Sequence, residues 1–344
     1  MEIQSFSGES HILTSRSSIR FRAILNIIVV AFTSLAAGAE PPNIRHYLIP
    51  FPTAGPTGIV AGPDGAVWFT EAEGDAIGRL DRASGEITEF KLPETGSWPS
   101  GITEGPDGAL WFTEMNSSRI GRITTAGVIK EFPLKSGSAP VRIVTGPDGA
   151  VWFTEFRSAR LGRITTSGVI TEFDTGIDNS APFALAAGKS SLWFTLVNAD
   201  KIGNLDMNGK MTLVDTPRPG GSPSGIAIDT SGTIWFTEQE ENRVGKLLPN
   251  GKARDFEIPT PYGYPFEIAA SPDGTLWFSE YYRHRIGHVA TDGSMTDFEL
   301  DNSDAHPSGL WVDADGSLWF TEYLGNAIGH YVPAARVRPV SRPH

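Results

Sequence analysis

From Ile44 onward the chain sets short runs of strand-forming residues between turn signals. One stretch shows the unit: Gly101-Ile102-Thr103, then Ala109-Leu110-Trp111-Phe112-Thr113, then Arg119-Ile120-Gly121-Arg122-Ile123, then Val128-Ile129-Lys130-Glu131-Phe132. Runs of this length suit strands and are too short for helices. The first two runs are joined by Gly-Pro-Asp-Gly, a tetrapeptide found at 62–65, 105–108 and 146–149. Proline presets φ and glycine supplies the position with φ > 0, so each predicts a tight hairpin turn.

The unit repeats. The motif W-F-[TS] occurs seven times, with tryptophans at Trp68, Trp111, Trp152, Trp193, Trp235, Trp277 and Trp319, 41 to 43 residues apart. A proline precedes each by 12 residues, or by 11 in the fourth copy: Pro56, Pro99, Pro140, Pro182, Pro223, Pro265 and Pro307. Four antiparallel strands at a period of about 42 residues predict an all-β fold, a seven-bladed β-propeller spanning 40–331. The seven W-F pairs are expected to fill the wedges between blades. The seventh copy stops after Ile328-Gly329-His330-Tyr331, one strand short, while an orphan run, Ile44 to Pro50, precedes the first copy. The N-terminal run is therefore expected to supply the outer strand of blade seven and leave no open seam.

Residues 1–39 read as a secretory signal. Arg16, Arg20 and Arg22 precede an apolar run from Ala23 to Phe32 and a small-residue end, Ala36-Ala37-Gly38-Ala39. The run is half the roughly 20 residues of a membrane-spanning helix, so an exported chain, periplasmic or extracellular, is expected, with no membrane span after cleavage. An uncleaved anchor is the alternative. The Pro- and Arg-rich residues 332–344 read as a disordered tail.

Charge narrows the partners. The full chain has a formal net charge of −12, and without residues 1–39 it carries 25 Lys+Arg against 38 Asp+Glu. That balance argues against nucleic acid or an anionic membrane surface, both of which need a basic footprint. A cationic or neutral small molecule or peptide is compatible with it. With no cysteine, stability rests on burial and ring closure, and thiolate chemistry is excluded. Ring closure removes any need for a second chain, so a monomer is expected.

The strand order puts the fourth-to-first and second-to-third connections on one face of the disc, and the sequence varies there. Trp98, Tyr262, Tyr264 and His306 precede repeat prolines; Met115, Phe156, Tyr281, Tyr282, His284 and Tyr323 follow W-F-[TS]. Unlike loops on a repeated scaffold are the usual place for binding. Tyr264, Phe266, Tyr281, Tyr282 and Tyr323 would give such a site an aromatic floor. Three further patterns have two readings each. An acid follows W-F-[TS] in six copies (Glu71, Glu114, Glu155, Glu238, Glu280, Glu322), with Leu196 in the fourth; these are cation ligands, Glu280 and Glu322 foremost, or do the same structural job in each blade. Arg142 and Glu267 stand two residues after their prolines, where the other blades carry Gly or Ala; they are a ligand clamp or an ion pair across the pore. His284 and His306, in adjacent blades, are a catalytic cluster with Glu280 and Glu322 or ordinary loop histidines.

The stretch from Gly101 to Thr124, G-I-T-E-G-P-D-G-A-L-W-F-T-E-M-N-S-S-R-I-G-R-I-T, resembles the repeat of the virginiamycin B lyases, the streptogramin lyases. The likeness runs through all seven copies and includes the closing N-terminal strand. It implies opening of a type B streptogramin macrocycle by elimination: a histidine base removes the α-proton beside the ester, and Mg²⁺ held by carboxylates stabilises the enolate. The resemblance places the two essential histidines directly after the repeat prolines of blades six and seven, where this chain has Phe266 and Ser308. The family's two carboxylates fall on His306 and on Tyr323, beside Glu322. Three readings follow: a binding propeller without the family chemistry, a metal-dependent lyase with a site rearranged around His306, His284 and Glu322, and a protein-interaction scaffold.

Overall fold

The computed structural model describes residues 43–333. The signal segment and all of the tail beyond Pro333 lie outside the described residues. These fold into seven four-stranded antiparallel sheets, the predicted propeller. In the first, Pro56–Ala61, Val67–Glu71, Ala76–Leu80 and Ile87–Lys91 lie side by side in chain order. The seventh is completed by the N-terminal strand Ile44–Leu48, which pairs with Ala327–Tyr331 from Ile44 opposite Tyr331 to Leu48 opposite Ala327. Tyr47 stacks on Trp319 there, ring centroids 5.9 Å apart, as Phe90 stacks on Trp68 in blade one at 5.6 Å. Among the described residues no helix is long and apolar enough to cross a membrane.

The W-F-[TS] motif works as a unit. Its tryptophans and phenylalanines fill the wedges: Trp68, Phe69, Trp111 and Phe112 are wholly buried. The hydroxyl does something less expected. Every first strand carries a bulge just after its proline, which takes one N–H off the ladder. In blade one that N–H, of Gly58, donates to Thr70 Oγ1 at 2.8 Å, and Thr70 donates onward to the carbonyl of Ser100 in blade two at 2.7 Å. The relay recurs around the ring and closes through Thr321, which accepts from Gly309 at 2.7 Å and donates to Thr57 of blade one at 2.9 Å. A serine or threonine is required because only a hydroxyl can accept and donate at one point.

Close approach of the next blade accounts for the small residue two places after five of the seven prolines, Gly58, Gly101, Ala184, Gly225 and Gly309. A Cβ on Gly309 would lie 2.0 Å from the carbonyl oxygen of Thr57, so crowding comes from the neighbouring blade's backbone. Arg142 and Glu267 occupy this same bulged position. The bulge is what turns their side chains toward the channel.

Candidate functional site

A cavity of about 400 Å³ opens at the mouth of the channel on the variable face. Its deep ring comes from residues directly after the repeat prolines, among them Thr57, Ser100, Val141, Phe183, Phe266 and Ser308. Its walls come from the loops: Trp98, Met115, Phe156, Tyr264, Tyr281, Tyr282 and Tyr323. The aromatic floor read from the sequence is thus assembled. Tyr264 and Tyr282 have ring centroids 4.7 Å apart, Tyr281 and Tyr282 5.2 Å, and Phe266 and Tyr281 5.8 Å. Two phenols bond to exposed carboxylates: Tyr323 Oη donates to Glu73 at 2.7 Å, and Tyr264 Oη to Glu240 at 3.3 Å. Burial and then Glu240 push the Tyr264 phenol up to about 12.

At the base of the cavity Arg142 reaches across the pore to Glu267. Its Nε and Nη2 both donate to Glu267 Oε2, at 3.0 and 2.7 Å. The guanidinium lies over the rings of Phe183 and Phe266, 5.2 and 5.7 Å from their centroids. Of the two sequence readings, the ion pair is the one seen; the two groups bind each other. Phe183 escaped notice in the sequence. It follows Pro182 as Phe266 follows Pro265, and that register was the available signal.

The six glutamates do not gather at the pore. Each is fully buried inside its own blade, beside the residue that faces the third-strand glycine. That residue is Glu89, Glu131, Glu172, Asp255 or Asp297 in five blades and His46 in the seventh. Burial first, then a neighbouring acid, raises Glu71 to about 8, and Glu114 and Glu238 to about 7. Glu280 also reaches about 7, burial again the main cause. Glu322 bonds His46 Nδ1 at 2.7 Å. Where Leu196 replaces the glutamate, the fourth-strand partner is also apolar, Leu213. These carboxyls are placed equivalently in six of the seven blades, and the structure keeps Glu280 and Glu322 each buried in its own blade, as the structural reading of the series expects. Among the described residues no group of three or more His, Asp or Glu could hold a metal ion. His306 and Tyr323 stand where the resemblance puts carboxylates, and the residues present do not fit a Mg²⁺ site.

His284 and His306 do meet, with ring centroids 4.6 Å apart at 72°, and His306 packs edge-on against Tyr281 at 5.0 Å. Neither is among the residues lining the cavity. The role of His284 is visible in its equivalents. Each second-to-third loop ends in a left-handed residue, Asp75, Ser118, Ala159, Asp200, Asn242, His284 or Asn326. Most of these side chains accept backbone N–H groups from the loop entering the next blade: Asp75 from Gly96 and Ser97, Asp200 from Gly220, Asn242 from Gly263, Asn326 from Ala54. His284 Nδ1 faces the N–H of His306 at 3.5 Å. It is the staple between blades six and seven. Burial, and then His306, lower its pKa, keeping the ring in the neutral form an acceptor needs.

Fold and cavity define a seven-bladed propeller with its candidate site at one mouth of a plugged channel. The chain matches the virginiamycin B lyase family over two overlapping stretches, residues 39–232 and 176–343, and belongs to it. It is similar to the virginiamycin B lyase of Staphylococcus aureus, at 32% identity over 85% of this chain and 99% of that one, TM-score 0.80. A catalytically inactive variant of the S. aureus protein, solved with quinupristin, matches at 33% identity over 85% of this chain and 99% of that one, TM-score 0.80. The virginiamycin B lyase of Saccharopolyspora erythraea is 48% identical over 50 residues, 14% of this chain and 16% of that relative. That of Bordetella pertussis is 56% identical over 36 residues, 10% of this chain and 12% of that relative. These two stretches span under a fifth of either relative's length.

Proposed function

We propose that this family member is an exported propeller that binds a small molecule or peptide in the variable-face cavity and does not carry out the elimination. One observation carries the reading. Phe266 and Ser308, the residues at the positions the resemblance gives to the essential histidines, both line the cavity. The pocket is kept and its base is gone: neither a phenyl ring nor a serine hydroxyl can take a proton as an imidazole does near pH 7. Phe266 instead joins Phe183 in covering the Arg142 guanidinium. The geometry of a pocket with apolar walls and few polar groups suits ligand binding.

The test is incubation of the purified chain, without residues 1–39, with quinupristin in Mg²⁺ or in EDTA, followed by chromatography and mass spectrometry. No product is expected under either condition, and restoring histidine at both positions, Phe266→His with Ser308→His, is the matched comparison. A ring-opened product of unchanged mass that depends on Mg²⁺ would overturn the reading.

A further inference from the structure

We infer that the group recognised in this cavity is cationic, a substituted ammonium seated among Tyr264, Tyr281, Tyr282 and Tyr323; the inference rests on the cavity being a binding site as proposed above. The four rings are inclined to one another, at 51° for Tyr264 and Tyr282, 79° for Tyr281 and Tyr282, and 48° for Tyr281 and Tyr323. The rings meet at inclined angles and do not stack in parallel, and all four line the cavity. Ring faces attract cations through their quadrupole.

Charge placement points the same way. The phenols of Tyr323 and Tyr264 are bonded to the carboxylates of Glu73 and Glu240. A phenol that donates to a carboxylate is richer in electrons, and the carboxylate adds its own attraction a few ångströms behind the ring. The lining offers an anion little. Its one Lys or Arg is Arg142, whose hydrogen bonds go to Glu267. An anion would have to displace that carboxylate. The same face already shows its preference, with Arg283 5.9 Å from the Tyr262 ring centroid. The formal charge of −12 steers cations toward the protein at long range.

The experiment titrates the chain with choline and with 3,3-dimethylbutan-1-ol, its uncharged isostere, by calorimetry. Saturable choline binding is expected, at least about tenfold tighter than the alcohol, and abolished in Tyr281→Ala. The exposed pair Glu73→Gln and Glu240→Gln removes charge without removing a ring. It should weaken choline about three- to tenfold and leave the alcohol unchanged. Equal affinity for the two probes would overturn the cationic inference while leaving the cavity a binding site for apolar groups. Failure of choline to saturate would overturn it as well, and calorimetric titration of the same chain with quinupristin then judges the binding reading separately.

Discussion

At the lower edge of blades one to three the same three side chains recur, whereas the upper edge repeats only its backbone. Asp64, Asp107 and Asp148 each take the indole N–H of their blade's tryptophan on one oxygen, at 2.9 to 3.0 Å, and an arginine Nε on the other, at 2.6 to 2.7 Å. At the upper edge the residue before each repeat proline keeps a left-handed backbone in every blade, yet it is Gly55, Trp98, Ala139, Ala181, Ser222, Tyr264 or His306. Uniform residues therefore mark what holds the ring. Positions with a fixed backbone and free side chains mark what the ring presents. The cavity is built almost wholly from the second kind.

The largest expected effect separates these two kinds directly. Phe112→Ala removes a wholly buried ring from the wedge between blades and is expected to cost about 3–5 kcal/mol. Tyr281→Ala, at a half-buried loop position of the cavity, should cost roughly 1 kcal/mol or less and act on binding instead. Urea unfolding of both variants gives the ratio. Comparable losses would mean that the aromatic wall is part of the core.

Legibility in the sequence followed the same division. Blade number, strand order and closure by Ile44–Leu48 could all be read, because each copy states its strands and turns separately and seven copies agree. The six glutamates left two readings open for that very reason. Their recurrence was visible, but their direction was not, since a residue at the end of a strand can face the axis or its own blade. The partner would have settled it: the fourth-strand acids vary between Glu and Asp, and blade four changes both Leu196 and Leu213 together. Arg142 and Glu267 were legible as a pair because they break a run of small residues, whereas the bulge that aims them is a backbone event with no sequence signature of its own.

The buried carboxyls give the ring a pH dependence that the exposed face should not share. Folded Glu71 holds its proton to about pH 8, and Glu114, Glu238 and Glu280 to about pH 7, while in the unfolded chain a glutamate releases it near 4.5. Between those limits the folded state binds more protons, so stability falls as pH rises from about 4.5 and levels off above about 8. Thermal unfolding from pH 5 to 9 should show that decline. Glu71→Gln, which fixes the neutral form, should match the parent near pH 5 and exceed it at pH 9. A profile that instead rises toward pH 8 would mean these carboxyls are charged and paired in the folded chain.

The smallest effect tests whether His284 belongs to the scaffold or to the site. Its equivalents in other blades are Asp200 and Asn242, each accepting the N–H of a glycine in the next loop at 2.7 Å. If it is a staple, asparagine can replace it: His284→Asn should leave stability within about 0.5 kcal/mol of the parent, and His284→Ala should cost about 1 kcal/mol by leaving the His306 N–H without its acceptor. Protonation would turn the Nδ1 acceptor into a donor, so the parent should lose the staple below its lowered pKa while His284→Asn keeps it. The two stability curves should therefore diverge only in acid, with the variant the more stable. Divergence in ligand binding at neutral pH, with unfolding unchanged, would move His284 out of the scaffold and into the site.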